Sequence, residues 1–353
     1  MRRPQEDDSL TVLARPAFEV HNNPYTARIY GAMDGSVVKV TDWSLARALL
    51  GRWDIVHVHW PETVFDHSLL EALLTTRTLL RAVDHARGHG ARLVWTVHNL
   101  RAHGERHPRA EAQFWREWIA RLDGILALTE AGLDAARGAH PRLADVPSAV
   151  VPHPHYRGVY RDDASRDTAR MRLRLPATAP VILFFGRVAA YKGVPELVEA
   201  FRGLSDPDAR LVIAGAPLLA EDRQRMTSWP ERDARIRTVP SFIPPEEVQD
   251  YFRAANLVVL PFREILNSGS AILSLSFDRR VLAPARGAVV ELAAQTGARW
   301  VQTYDGPLTT HVLSTALSAA MSDPDRTDGS HLAPLDPTEV AHRTVQAYYA
   351  FRA

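Results

Sequence analysis

Two cations share one short turn of this chain. The stretch VILFFGRVAAYKGVPELVEAF, residues 181 to 201, passes from an unbroken apolar run into a helical pattern, with Arg187 and Lys192 set in the turn between them. A planar guanidinium and a point-charge ammonium five residues apart suit the two phosphates of a diphosphate better than a single carboxylate. Gly186 and Gly193 permit tight backbone on either side. Taken alone, an R-x4-K pair is more often two solvated loop residues, so its context has to decide. A second constellation is PFREILNSGSAI, residues 261 to 272, where the Asn267, Ser268, Gly269, Ser270 cluster precedes an apolar helical run as an N-cap does. Backbone amides at Ser268 to Ser270 could face the same anion. A third lies in DIVHVHWPE and TVHN, where His57 and His59 alternate on one strand face, Glu62 follows the strand, and His98, Asn99, Arg101 and His103 follow the next. His59, Glu62, His98 and His103 could converge at one sheet edge, while His57 reads better as a satisfied interior histidine.

The elements that would position these groups are short apolar runs alternating with amphipathic segments, the signature of parallel sheets built from βαβ units. Runs at 10–14, 36–40, 54–60, 92–98, 124–128 and 148–153 define a first series, with helical patterns near 68–88, 111–122 and 130–138. A second series follows at 181–186, 209–215, 235–240, 257–261 and 280–285. The polar, charged stretch 155–180 reads as a linker. Two doubly wound α/β domains facing a cleft result: residues 1–160, and residues 176–336, with an amphipathic helix at 337–353 crossing back to the first domain. Ligands of such sheets gather at the carboxyl ends of the strands, where helix N-termini point. The row Phe114, Trp115, Trp118 and Leu122 has helical spacing and reads as core.

Composition narrows the function. The chain has 353 residues, 46% of them hydrophobic, and its 42 basic and 41 acidic side chains leave a formal charge of +1. No global field recruits nucleic acid. With no cysteine, disulfides, thiolate metal sites and a cysteine nucleophile are excluded. No run of ~18 apolar residues predicts a transmembrane helix, and the N-terminus lacks the pattern of a signal peptide. The expected location is cytoplasmic, with peripheral membrane association left open.

The segments FFGRVAAYKGVPELVEAF, RLVIAG, VVLPFREILNSGSAILSLSFDRRVLAP and GAVVEL, in this order, resemble the retaining, nucleotide-sugar-dependent glycosyltransferases of the GT-B fold, family 4 in particular. The likeness extends more loosely to NNPYTARIYGAMDG, DIVHVHWPE, VWTVHN and VVPHPHY. It implies that Arg187 and Lys192 hold the diphosphate of a nucleoside-diphosphate sugar, and that Glu264 contacts the donor sugar. It further implies that His98 touches that sugar, and that transfer to an acceptor hydroxyl proceeds with retention. The acceptor could be lipid-linked or a secondary metabolite. The family's second motif glutamate is missing, because the corresponding positions are Ile272 and Leu273; Glu291 is a substitute candidate. Asn23 and Tyr25 stand where the family has a glycine-rich loop, and join His59, Glu62, Asn99, Arg101 and His103 as acceptor-side candidates. Fixed cations and a helix N-terminus can replace a divalent metal at a departing diphosphate, so neither metal nor cofactor is expected. Two other readings remain open: a non-catalytic sugar-nucleotide-binding or partner subunit of degenerate type, and, more remotely, a zinc hydrolase using the H-x-H strand.

Overall fold

The apolar runs become two six-stranded, wholly parallel sheets in the computed structural model, which describes residues 9–18, 23–102, 106–323 and 326–352. The first sheet contains β1 (Leu10–Arg15), β2 (Val38–Asp42), β3 (Ile55–Val58), β4 (Arg92–Val97), β5 (Gly124–Ala127) and β6 (Ser148–Val150), in the order β2-β1-β3-β4-β5-β6. The second contains β7 (Val181–Phe185), β8 (Arg210–Ala214), β9 (Ile236–Val239), β10 (Leu257–Val259), β11 (Arg280–Pro284) and β12 (Val301–Tyr304), in the order β12-β11-β10-β7-β8-β9. Strands such as β3, β5 and β10 are buried along their whole length, as parallel strands covered on both faces must be. Strand order reverses between β1 and β3 in one sheet and between β7 and β10 in the other. Those reversals open a crevice beyond the strand ends, where ligands of this architecture bind.

The chain forms two compact units. One comprises residues up to Pro154 and from Leu335 onward; the other comprises His155–Pro334. The C-terminal helix Pro337–Arg352 belongs to the first unit, where Val340, Tyr348 and Phe351 pack with Leu10, Val12, Tyr25, Ile29 and Val94. The helix Leu69–Gly88 starts at a capping box between Ser68 and Glu71, which satisfies two amides of its open end. The aromatic row is core: Phe114, Trp115, Trp118 and Leu122 are all buried.

Two features differ from the sequence reading. The stretch 155–180 is not a linker but part of the second unit. Its helix Arg166–Arg172, capped by Ser165, packs on the helix Val248–Ala254. Arg170 donates to the Ala254 carbonyl at 3.1 Å and to Asn256 at 2.9 Å, and Arg172 pairs with Asp250 at 2.9 Å. Asp162 pairs with Arg253 and Arg326. Arg170, Arg172 and Asp162 are therefore partnered within the fold, whereas a dense run of charge looks like solvation. The strand β12 and the helix Thr310–Met321 were also not singled out, because WVQTY is too short and polar to stand apart.

Seating of the C-terminal helix depends on Gly124. A Cβ at that position would lie 2.3 Å from Cδ2 of Phe351. Gly124→Ala should therefore overpack the first unit and cost about 1–3 kcal/mol in chemical denaturation; unchanged stability would show that the helix is not held there.

Candidate active site

On the second unit, β7 and β10 are neighbours, so the turns that leave their carboxyl ends share one edge. Gly193 has a left-handed conformation, φ 64°, and a Cβ there would meet the Pro261 carbonyl at 1.9 Å. Only glycine lets the two turns approach this closely. The Arg263 amide donates to the Tyr191 carbonyl at 2.9 Å and fastens them together, while the Arg263 side chain pairs with Glu196. Lys192 lies over the Phe262 ring, its ammonium 3.8 Å from the centroid. Burial, and then the neighbouring Arg187 charge, bring the Lys192 pKa down to about 8. Among the described residues neither cation has an ion-pair partner. Two adjacent positive charges, one of them withdrawn from water, form a site that an anion would relieve.

The donor-side candidates gather here. The helix Gly269–Ser276 begins beside this turn; Ser268 accepts from the Ala271 amide at 3.1 Å, which leaves the Gly269 and Ser270 amides without a partner inside the helix. Gly186 is close: a Cβ on it would lie 3.1 Å from the Ser270 hydroxyl. Asn267 precedes the cap, and Glu264 is exposed on the loop after β10. Glu291 sits in the first turn of the helix Ala288–Thr296. Ile272 and Leu273 are buried, so no carboxylate replaces the missing one at that position.

On the first unit, the loops after β3 and β4 build an aromatic and histidine cluster. His57 is hydrogen-bonded to Tyr30 at 2.7 Å, Tyr348 at 2.6 Å and Thr96 at 2.7 Å. His59 is hydrogen-bonded to Tyr30 at 2.6 Å and to His98 at 3.2 Å. Trp60 stacks on His98 with centroids 4.4 Å apart, and Tyr25 meets His98 and His153 edge-on, each at 4.7 Å. His57 is thus the satisfied interior histidine expected. His59 and Tyr25, read as acceptor-side groups, are 1% and 2% exposed and stand behind the surface, where they brace His98. Strand alternation correctly paired His57 with His59, but it does not reveal that a tyrosine from a distant helix fills the space before them. Tyr30, Tyr348 and His153 were missed for the same reason.

Glu62 occupies the turn Pro61–Asp66 and is 2% exposed. Asn99 donates to its Oε1 at 2.6 Å, while Oε2 is buried with no hydrogen-bond partner. Burial raises its pKa to about 7, with the Asn99 bond opposing that rise. Asn23 accepts from the Tyr25 amide at 3.1 Å, and Arg101 is exposed beyond Asn99. His103 lies outside the described residues. No group of three or more His, Asp or Glu among the described residues has metal-holding geometry.

The family "Glycosyl transferases group 1" matches residues 165–267, which include the turn after β7 and the loop after β10 as far as Asn267. A GDP-mannose:glycolipid 4-beta-D-mannosyltransferase of Xanthomonas campestris pv. campestris is 29% identical over 311 residues, covering 86% of this chain and 82% of that protein. A D-inositol 3-phosphate glycosyltransferase of Catenulispora acidiphila is 34% identical over 200 residues, covering 50% and 46%. Among solved structures, Anabaena HepE in complex with UDP and glucose has a TM-score of 0.62 at 15% identity, over 97% of this chain and 98% of that one. Residues 165–267 of this chain are thus similar to the group 1 glycosyltransferases, and the whole chain has the GT-B fold.

The histidine cluster makes the first unit acid-sensitive. Burial lowers the His57 pKa from 6.5 to about 3 and puts that of His59 well below 6.5. In the unfolded chain these rings take up protons near pH 6.5, but in the folded chain they resist. The unfolded state therefore binds more protons throughout that interval, and stability falls as pH drops below about 6.5. Urea titrations of wild type and Tyr30→Phe between pH 7.5 and 4 should show progressive acid loss, and a pH-independent wild-type midpoint would refute buried neutral histidines.

Proposed function

We propose that this enzyme transfers a sugar from a nucleoside diphosphate to the hydroxyl of a glycolipid acceptor, without a metal ion, and that GDP-mannose is the first donor to test. The observation that carries the donor reading is the unpaired Arg187 and Lys192 beside the free helix start at Gly269. As the C1–O bond to the diphosphate breaks, negative charge grows on the leaving group, and fixed cations with helix amides stabilise it. Glu264 would face the positive charge developing on the sugar. The resemblance favours retention, with the acceptor proton passing to the departing phosphate oxygen.

Inversion is a second reading, favoured by Glu62. Its buried carboxyl, with one oxygen unpartnered and a pKa near 7, has the properties of a general base. The Xanthomonas relative is named for a β-linked product. If the donor is α-configured, such a product requires inversion.

A glycolipid acceptor fits the surface of the first unit. The opening turns of the helix Leu69–Gly88 expose Leu69, Leu70, Leu73 and Leu74, and Arg77 and Arg81 follow without ion-pair partners among the described residues. Exposed leucines beside unpaired arginines suit the headgroup region of an anionic bilayer. No helix among the described residues is long and apolar enough to cross a membrane.

Arg187→Ala or Lys192→Ala should lower turnover by orders of magnitude and leave the unfolding midpoint unchanged; near-normal transfer by both would sink the donor assignment. Because Lys192 must be protonated to attract a diphosphate, GDP affinity measured calorimetrically should fall as pH rises through about 8. A flat profile that persists in Lys192→Ala would remove the lysine from the site. Activity should survive EDTA.

Glu264→Gln should depress turnover more than GDP affinity, since it removes charge while keeping size. The anomeric configuration of the product, read by NMR, separates retention from inversion. If the product is inverted, Glu62→Gln should abolish transfer; if it is retained, Glu62→Gln should leave most of it.

A further inference from the structure

A pocket of about 510 Å3 in the first unit shares only Arg101 with the candidates of the site just described. The loop after β4, the helix Pro108–Ile119 and the turn that follows the helix Glu130–Ala139 enclose it. Its volume is that of a small-molecule site. Leu100, Trp115, Ile119 and Pro141 supply apolar wall, while Arg101, Arg116 and Arg142 stand among them. Arg116 and Arg142 are exposed and have no ion-pair partner among the described residues. The acid in the lining, Glu111, is buried and turned inward: it accepts from the Ala102 amide at 2.7 Å and from the Trp115 indole at 3.1 Å. It therefore does little to neutralise the rim. His140 also lines the pocket, with its Nε2 buried and lacking a hydrogen-bond partner.

This combination selects a class of ligand. A bare sugar needs many fixed polar contacts, which these apolar walls do not offer, and a free phosphate would leave the apolar surface wet. An amphiphilic anion uses both: its chain covers the accessible wall at Leu100, Ala112 and Pro141, and its phosphate meets the Arg116 and Arg142 guanidinium groups. Asn99 of the same loop holds Glu62, so the pocket adjoins the acceptor-side candidates. We propose that it binds the phosphorylated lipid end of the acceptor, the phosphate or diphosphate ester of a long-chain alcohol. The identification of the ligand as acceptor rests on the glycolipid reading above; the binding chemistry does not.

The test is direct binding to the full-length protein, without donor, of dodecyl phosphate below its micellar concentration, read by calorimetry and tryptophan fluorescence. Inorganic phosphate and dodecyl maltoside serve as comparison ligands. Dodecyl phosphate should bind at least about tenfold tighter than either. The double variant Arg116→Glu, Arg142→Glu should weaken it at least about tenfold, and Ala112→Trp, which places bulk at an exposed position of the lining, should block it. Both variants should keep the wild-type unfolding midpoint. Equal affinity for inorganic phosphate would make this a free-anion site, and equal affinity for the maltoside would make it an apolar surface; either overturns the proposal. So does dodecyl phosphate binding that both variants leave intact. Because no transfer is measured, a negative result here leaves the donor assignment standing, and an inactive enzyme that still binds dodecyl phosphate leaves this proposal standing.

Discussion

The close approach of Gly193 to the Pro261 carbonyl is the constraint on which the donor side depends. It brings the turn after β7 against the turn after β10, and so places a lysine over the Phe262 ring and beside an arginine. Two neighbouring like charges repel, and partial burial of one deepens the cost. The fold carries that cost with rigid backbone on both sides: the Arg263 amide bonded across to Tyr191, Glu196 drawn onto Arg263, and helices beginning directly after each turn. The resulting positive field exists before any ligand arrives, so binding requires little rearrangement of these turns.

The first unit follows the opposite strategy. Its polar groups at the strand ends are neutral and hydrogen-bonded to one another, in a chain from Thr96 through His57, Tyr30 and His59 to His98. Neutrality comes from burial, and positions come from the tyrosine hydroxyls that fill the space between rings. Such a network fixes the His98 ring plane against Trp60 while adding no charge. Glu62 departs from the pattern, as a carboxyl buried with only one oxygen satisfied.

Much of this was legible in the sequence, for physical reasons. Strands buried on both faces, such as β3, β5 and β10, appear as uninterrupted apolar runs, whereas the alternation of polar and apolar residues in WVQTY leaves β12 without such a signal. Arg187, Lys192 and the Ser268 cap were visible because turn residues and helix starts are local signals. What was not legible depends on tertiary partners. The arginines at 166 to 172 looked solvated because Asp250, Ala254 and Asn256, which hold Arg170 and Arg172, lie about eighty residues away. His59 and Tyr25 looked like ligand-facing groups because the rings that cover them, Tyr30 over His59 and His98 with His153 over Tyr25, come from other elements. Spacing along the chain reports the direction of a side chain, but not what stands in front of it.

The C-terminal helix also bears on how the chain acquires its structure. The first unit is discontinuous: its core includes Tyr348 and Phe351, which are synthesised after every residue of the second unit. The second unit, encoded without interruption between His155 and Pro334, needs no later segment to complete its core. The earlier-made segment must wait with the apolar surface around Leu10, Tyr25 and Ile29 uncovered until the last helix emerges. The nascent first unit is therefore the part whose unfinished core stays exposed longest, and exposed apolar surface of that kind is prone to aggregate.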